Sequence, residues 1–255
     1  MKIKKIALIM SILTLFALFA SSCGNTPTLD TIKNRGKLVM ATNAAFPPFE
    51  QLESGKFVGF DVDLANEIAK YIGVELEIVD IDFDSIVGSI DSGKYDVGIA
   101  GMTADEDKKK NVDFSDDYYK ASQNIIVTSD SAIADVSGLT GKTVACQEGT
   151  TGEKYCQENG YTIQSYKSGS EAVIALIAGK VDAVVIDNLP ALALAEENSG
   201  KVKVLTEPLT EETYAIAVKK GNSTLLKAIN DALASIKASG RLAEIYAQYN
   251  IDYEG

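Results

Sequence analysis

The side chains able to do chemistry are unevenly supplied in this chain. Its 255 residues include no histidine and two arginines, Arg35 and Arg241. Acidic groups outnumber basic ones, 36 to 24, yet no set of carboxylates has the spacing of a metal-binding loop. Zinc chemistry and a histidine-dependent triad are therefore excluded. What remains is carboxylates, hydroxyls and backbone N–H groups, concentrated in three places. Asp187 ends the apolar run VDAVVID (181–187), just before Leu189 and Pro190; it caps a helix, presents a carboxylate, or does both. Thr150 and Thr151 open a helix after a strand at 143–146, where N–H groups and the helix dipole favour an anion; read alone, GTTG (149–152) is an ordinary turn and cap. Residues 104–110 set Asp105, Glu106 and Asp107 before Lys108, Lys109 and Lys110, either as a site-facing pair or as a solvated helix start.

The elements that must position these residues alternate between strand-like and helical patterns, the signature of α/β architecture with parallel strands. Strands are predicted at 38–42, 76–79 and 97–100. A helix is predicted at 60–72, with Val62, Ala65, Ile68, Ala69 and Ile72 on one stripe and Gly73 ending it, and a short helix at 83–90. SIDSGKYDVGIAG (89–101) and ALIAGKVDAVVID (175–187) form a weak internal repeat: Gly93 aligns with Gly179, Lys94 with Lys180, and Asp96 with Asp182. The repeat places Gly101 and Asp187 at equivalent carboxyl ends of strands, where open α/β sheets bind ligands. Residues 118–127 and 213–218 read as two crossings between lobes. Leu225, Leu226, Ile229, Leu233 and Ile236 predict a C-terminal helix returning to the first lobe, broken at Gly240.

At the N-terminus, Lys2, Lys4 and Lys5 precede fifteen uncharged residues (6–20), then Ser21, Ser22 and Cys23. The run is shorter than the roughly 18 to 20 residues a spanning helix needs, which predicts a signal peptide at 1–22. Cys23 stands where a lipobox cysteine would take a lipid, although Ala20 occupies a position that usually holds a large aliphatic. Residues 23–29 then form anchor and tether, and the product is an exported protein held to a membrane, in the periplasm or at the outer cell surface. Without residues 1–22 the chain carries 21 basic and 36 acidic groups, net −15, which argues against a nucleic-acid partner. Cys146 and Cys156 either form a disulfide, which an oxidising compartment permits, or stand as independent buried thiols.

Six segments, ATNAAFPPFE (41–50), GFDVDL (59–64), YDVGIAGMT (95–103), NVDFS (111–115), QEGTTG (147–152) and VDAVVID, occur in an order that resembles the polar-amino-acid-binding proteins of ABC importers, from about residue 30 onward. The resemblance implies a type II periplasmic-binding-protein fold. Two Rossmann-like α/β lobes, 30–119 plus 217–255 and 124–212, each hold a central, mainly parallel sheet, and hinge strands at 118–123 and 212–217 join them. It implies a monomer without cofactor or metal that closes over a small molecule and delivers it to an ABC permease. Asp187 then takes the ligand ammonium. Thr103, Gly101, Thr150, Thr151 and Lys108 face its carboxylate, with Gln147 in the same segment as the threonines, and Phe46 and Phe83 pack on its side chain. Asn43 replaces a frequent Asp. Asp105 and Lys108 replace the family's Thr and Arg, so a mobile point charge stands where a bidentate fork is usual. A sensory receptor on the same lobes, or a dehydratase-type enzyme with Asp105 or Glu148 as acid or base, are the alternatives.

Overall fold

A parallel strand pair needs a crossover connection, and the chain supplies helices for it repeatedly. In the computed structural model, which describes residues 28–253, Thr28 caps helix α1 (Leu29–Arg35) and Gly36, at φ +74°, turns the chain into β1 (Lys37–Thr42). The predicted signal peptide, Cys23 and the residues up to 27 lie outside the described residues. A small antiparallel sheet of β2 (Ala45–Phe46), β3 (Glu50–Glu53) and β4 (Lys56–Val58) leads to α2 (Phe60–Ile72) and β5 (Glu75–Asp80). A single 3₁₀ turn (Phe83–Ser85) runs into α3 (Ile86–Asp91), then β6 (Val97–Gly98) and β7 (Val112–Phe114). The predicted third strand is thus cut to two paired residues. Ile99 still donates to the Ala41 carbonyl (3.1 Å), but Gly101 then turns the backbone at φ +52°.

The chain crosses through β8 (Tyr119–Ala121) into β9 (Gln123–Thr128) and a second unit follows. It contains β10 (Thr143–Gln147), α4 (Thr151–Glu158), β11 (Thr162–Tyr166), α5 (Gly169–Ile177), β12 (Ala183–Asp187), α6 (Asn188–Glu197) and β13 (Val202–Leu205). It returns through β14 (Glu212–Tyr214) into β15 (Ala217–Lys219) and ends in α7 (Ser223–Ala238) and α8 (Arg241–Gln248). Strand order is β5-β1-β6-β15-β7 in one sheet and β11-β10-β12-β9-β13 in the other. In each, four strands run in one direction and the remaining one, β15 or β9, which has just crossed from the other lobe, runs antiparallel to both its neighbours. The expected α/β class with two sheet-containing lobes therefore holds. β8 and β14 pair with each other as a two-stranded ribbon between them.

The internal repeat is structural. Gly93 and Gly179 sit at φ +74° and +69°, and each donates back to the helix before it (to Ile90 and Leu176, 3.0 Å both). Asp96 and Asp182 then pin the neighbouring strand: Asp96 Oδ2 accepts from Val39 N (2.7 Å), and Asp182 Oδ2 from Thr143 N (2.9 Å). A cation joins each, Arg35 on Asp96 and Lys142 on Asp182.

An aromatic cluster packs the first lobe against the β8–β14 ribbon. Phe49 packs on Tyr119 (centroids 4.9 Å apart), Tyr214 (5.1 Å) and Phe60 (5.9 Å), and Phe60 on Tyr246 (4.9 Å). Helix α7 buries Leu225, Ile229, Leu233 and Ile236 and packs on α2, the placement its spacing predicts.

The cysteine pair resolves to free thiols. Cys146 and Cys156 lie in the apolar cluster between β10 and α4, and the Cys146 thiol contacts the Gly152 carbonyl (3.8 Å). A thiol fits such a cluster as a small hydrophobe, so the open disulfide reading is not realised.

The same Asp serves different surroundings in the two repeats, so its loss should cost differently. Asp96 is almost fully buried and Asp182 about half exposed. Asp96→Ala is expected to lower the unfolding free energy by about 2 kcal/mol, by stranding the Val39 N–H, and Asp182→Ala by no more than about 1 kcal/mol. Urea unfolding of the two variants checks the difference.

Candidate functional site

Ten of the eleven candidate ligand residues line one cleft between the lobes: Asn43, Phe46, Phe83, Gly101, Thr103 and Lys108 from the first lobe, and Gln147, Thr150, Thr151 and Asp187 from the second. The lining also includes Ala100 and Glu50, and these side chains nearly fill the cleft, leaving a cavity of about 10 Å³. Asp105, the eleventh, lines a separate surface pocket that shares Phe83, Lys108 and Thr150 with the cleft.

Local structure explains each placement. Asp187 ends β12 at the cap position of α6, but its side chain makes no cap hydrogen bond; instead Oδ1 accepts from Tyr214 Oη (2.6 Å). Of the two readings of Asp187, the capping side chain is thereby removed. Thr150 does cap α4: its Oγ1 accepts from Glu153 N (3.2 Å) and donates to the Gln147 carbonyl (2.7 Å). Gly101 corrects its expectation. Its N–H is engaged by Asp61 Oδ2 (2.7 Å), so it is not free for a ligand carboxylate, and a Cβ there would sit 2.6 Å from the Phe46 ring.

The other expected carboxylate donors also have acceptors within the protein. Lys108 Nζ donates to Asp105 Oδ2 (2.6 Å), and both groups are largely buried. Thr103 and Thr151, from opposite lobes, donate to the same oxygen of Glu212 (2.6 and 2.7 Å), while Thr210 donates to the other (2.7 Å). Glu212 and Tyr214 lie on β14, so the strand pair between the lobes is hydrogen-bonded to the cleft-lining residues Thr103, Thr151 and Asp187. Sequence reading missed them, along with Tyr118, Asp61 and Glu50. The signals were a tyrosine at each crossing and the Glu closing ATNAAFPPFE.

The lobes are closed on each other. Gln147 Nε2 donates to Asn43 Oδ1 (2.9 Å), Lys167 pairs with Asp82 (3.4 Å) and Asp84 (3.3 Å), and Lys154 pairs with Asp107. At Gly149 the backbones come so near that a Cβ would lie 3.0 Å from Asp84 Cα.

Charge inside the cleft is badly compensated. Burial, then the neighbouring Glu212, push Asp187 up to about 7 against the Tyr214 hydrogen bond. Burial pushes Asp61 to about 7 despite hydrogen bonds from Gly101 and Tyr118 (2.9 Å). Glu50 is driven well above the ordinary range by burial and then by Asp61. Asp105 goes the other way: burial opposes ionisation, but hydrogen bonds from Lys108 and its charge outweigh it and hold the carboxyl low. Between about pH 4 and pH 7 the folded chain therefore keeps protons on Asp61 and Asp187 that the unfolded chain has released, and stability falls as pH rises. The ligand-free protein is expected to melt at lower temperature at about pH 7.5 than at about pH 5, and Asp187→Asn should flatten that slope in thermal scans.

Comparison with known proteins places this geometry. The family model for bacterial extracellular solute-binding proteins, family 3, matches residues 38–252. An arginine-binding extracellular protein of Bacillus subtilis is 32% identical over 247 residues, covering 95% of this chain and 96% of its own. An L-cystine-binding protein of Escherichia coli is 30% identical over 239 residues, covering 92% and 90%. The crystal structure of a mutant of ArgBP from T. maritima superposes with a TM-score of 0.83 at 41% identity, covering 87% of this chain and 98% of that one. With that family model spanning most of the chain, and a cleft at the strand ends between two α/β lobes, the protein belongs to the bacterial extracellular solute-binding proteins of family 3.

Proposed function

We propose that this protein captures a free polar amino acid between its lobes and presents the closed form to an ABC permease. The observation that carries the reading is Asp187. It is a buried carboxylate at the end of β12, held by Tyr214 and paired with no cation of the described residues. An α-ammonium supplies the missing positive charge, and a charge-assisted hydrogen bond in this enclosed site is worth more than one in water. Thr103, Thr151 and Lys108 stand where a carboxylate is received, and they pass to it from Glu212 and Asp105. Phe46 and Phe83 flank the side chain. The β8–β14 ribbon is the hinge, with lobe boundaries at about residues 118–123 and 212–217.

Support for binding without catalysis comes from the two groups that could serve as acid or base. Asp105 is tied to Lys108, and Glu148 lies half exposed, paired with Lys167 (2.8 Å) outside the cleft. In the same reading, residues 1–22 are a signal peptide, Cys23 carries the lipid anchor, and the exported protein works as a monomer. No helix of the described residues is long and apolar enough to cross a membrane.

Calorimetric titration with the common amino acids tests the reading. At least one polar amino acid is expected to bind, and Asp187→Asn to weaken it by about 100-fold or more, because the ligand ammonium then enters the cleft without a counter-charge. Binding only by compounds that lack an α-amino or α-carboxylate group, or an unchanged Kd in Asp187→Asn, contradicts it. Mass spectrometry of the protein recovered from the membrane fraction of its host should find the chain starting at a diacylated Cys23.

A further inference from the structure

Gln123 is the first residue of β9, where the chain enters the second lobe, and it is wholly buried. It stands opposite Asp187 in the antiparallel register of β9 and β12. Its Nε2 donates to Thr151 Oγ1 (3.2 Å), and its amide also hydrogen-bonds the Asp187 carboxyl. Its backbone is tied to the return crossing: Gln123 N donates to Thr210 Oγ1 (2.9 Å), and its carbonyl accepts from Leu209 N (2.8 Å). The neighbours leave the amide one orientation. Both groups at its nitrogen are acceptors, one a carboxyl and the other a threonine oxygen whose own proton goes to Glu212. The amide oxygen lies against α4, where a Cβ on Gly152 would come within 2.6 Å of it.

This one amide acts at two places in the cleft. Because Thr151 Oγ1 accepts from Gln123, the hydroxyl proton is left for an acceptor: Glu212 in the structure, a carboxylate when one enters. Asp187 receives, beside the Tyr214 hydroxyl, a second donor that carries no charge, so the carboxyl is held in place while its counter-charge is left for the ligand to bring. A cation in this position would neutralise Asp187 beforehand. An apolar side chain would leave Asp187 with fewer donors and free the Thr151 hydroxyl to turn. We infer that Gln123 is a positioning residue of the binding cleft, whose neutral amide orients both the carboxylate that receives an α-ammonium and the hydroxyl that receives an α-carboxylate. This rests on the amino-acid reading above. Besides Gln123, the titratable groups that face Asp187 are Tyr214 and Glu212 of β14, Tyr119 of β8 and Glu50 of β3, none of them positive. Burial, then Glu212, raise the proton affinity of Asp187, and the hydrogen bonds from Tyr214 and Gln123 lower it.

Gln123→Met keeps the length of the side chain and removes both donors. The common L-amino acids are titrated calorimetrically into the parent, and the tightest of them is then titrated into parent and variant between about pH 5.5 and pH 8.5. In the parent, affinity is expected to rise with pH up to about 7, where Asp187 has given up its proton, and then to level off. In Gln123→Met the Kd at neutral pH should be about tenfold higher, and the levelling point should move up by about one pH unit, with more proton release in paired buffers of different ionisation enthalpy. A role in packing alone weakens binding without moving the levelling point. An unchanged Kd, or a raised Kd with the levelling point where it was, therefore overturns the inference and leaves amino-acid capture standing. If no amino acid binds the parent, both fall. Should Gln123→Met not fold, Gln123→Asn decides by the same two readings, since it keeps an amide but withdraws it by one methylene from Asp187 and Thr151.

Discussion

Everything at the junction of the lobes depends on keeping carboxyl groups out of water without giving them cations. Glu50, Asp61 and Asp187 are all buried there, and ionising such a group in a dry site costs several kcal/mol unless it is paired. The aromatic cluster offsets this burden. Phe49, Phe60, Tyr119, Tyr214 and Tyr246 pack edge-on and tilted in one continuous group, and such rings bury more apolar surface than any other side chains. The tyrosines do two jobs. Their rings add to the packing, and Tyr118 and Tyr214 turn hydroxyls onto Asp61 and Asp187, so the packing carries the cost of burying these carboxyls.

That arrangement couples the cleft to the ribbon between the lobes. Tyr214 and Glu212 are two residues apart on β14, so their side chains leave the same face of the strand. One reaches Asp187 of the second lobe, and the other collects Thr103 and Thr151 from both. Rotation of one lobe about this ribbon cannot preserve all three bonds. Residues that would receive a ligand therefore also report the angle between the lobes, and a ligand that favours the closed arrangement shifts the population toward it by its differential affinity.

How much of this could be read in the sequence follows from how far apart the partners lie along the chain. The repeat was legible because it is local: a left-handed glycine closing a helix, then an Asp beside the next strand, is written in consecutive residues, as is the i, i+3 pair of Asp105 and Lys108. The cleft residues followed from strand ends and from the resemblance of whole segments. Glu212 was not legible, since its meaning comes from Thr103, 109 positions away, and Thr151, 61 away. Nor was Glu50, which reads as an ordinary polar residue opening a surface hairpin until the fold closes over it. Asp61 fitted the first turn of α2, where a carboxylate favours the dipole, and that sufficient local reason hid its role beneath Gly101. For the cysteines, spacing permits a bond, but side-chain packing decides whether one forms.

The two ends of the proposed ligand would then be held by different physics. The donors for its carboxylate already have carboxylate partners, Glu212 for the threonines and Asp105 for Lys108. Binding there exchanges one charge-assisted hydrogen bond for another, and the gain is a small difference between similar terms. At Asp187 no such exchange takes place: a carboxyl with a raised proton affinity and no cation meets its first counter-charge. Affinity is accordingly concentrated on the ammonium side. On the proposed binding mode, Lys108 in place of an arginine would cost little, because its charge is already met by Asp105.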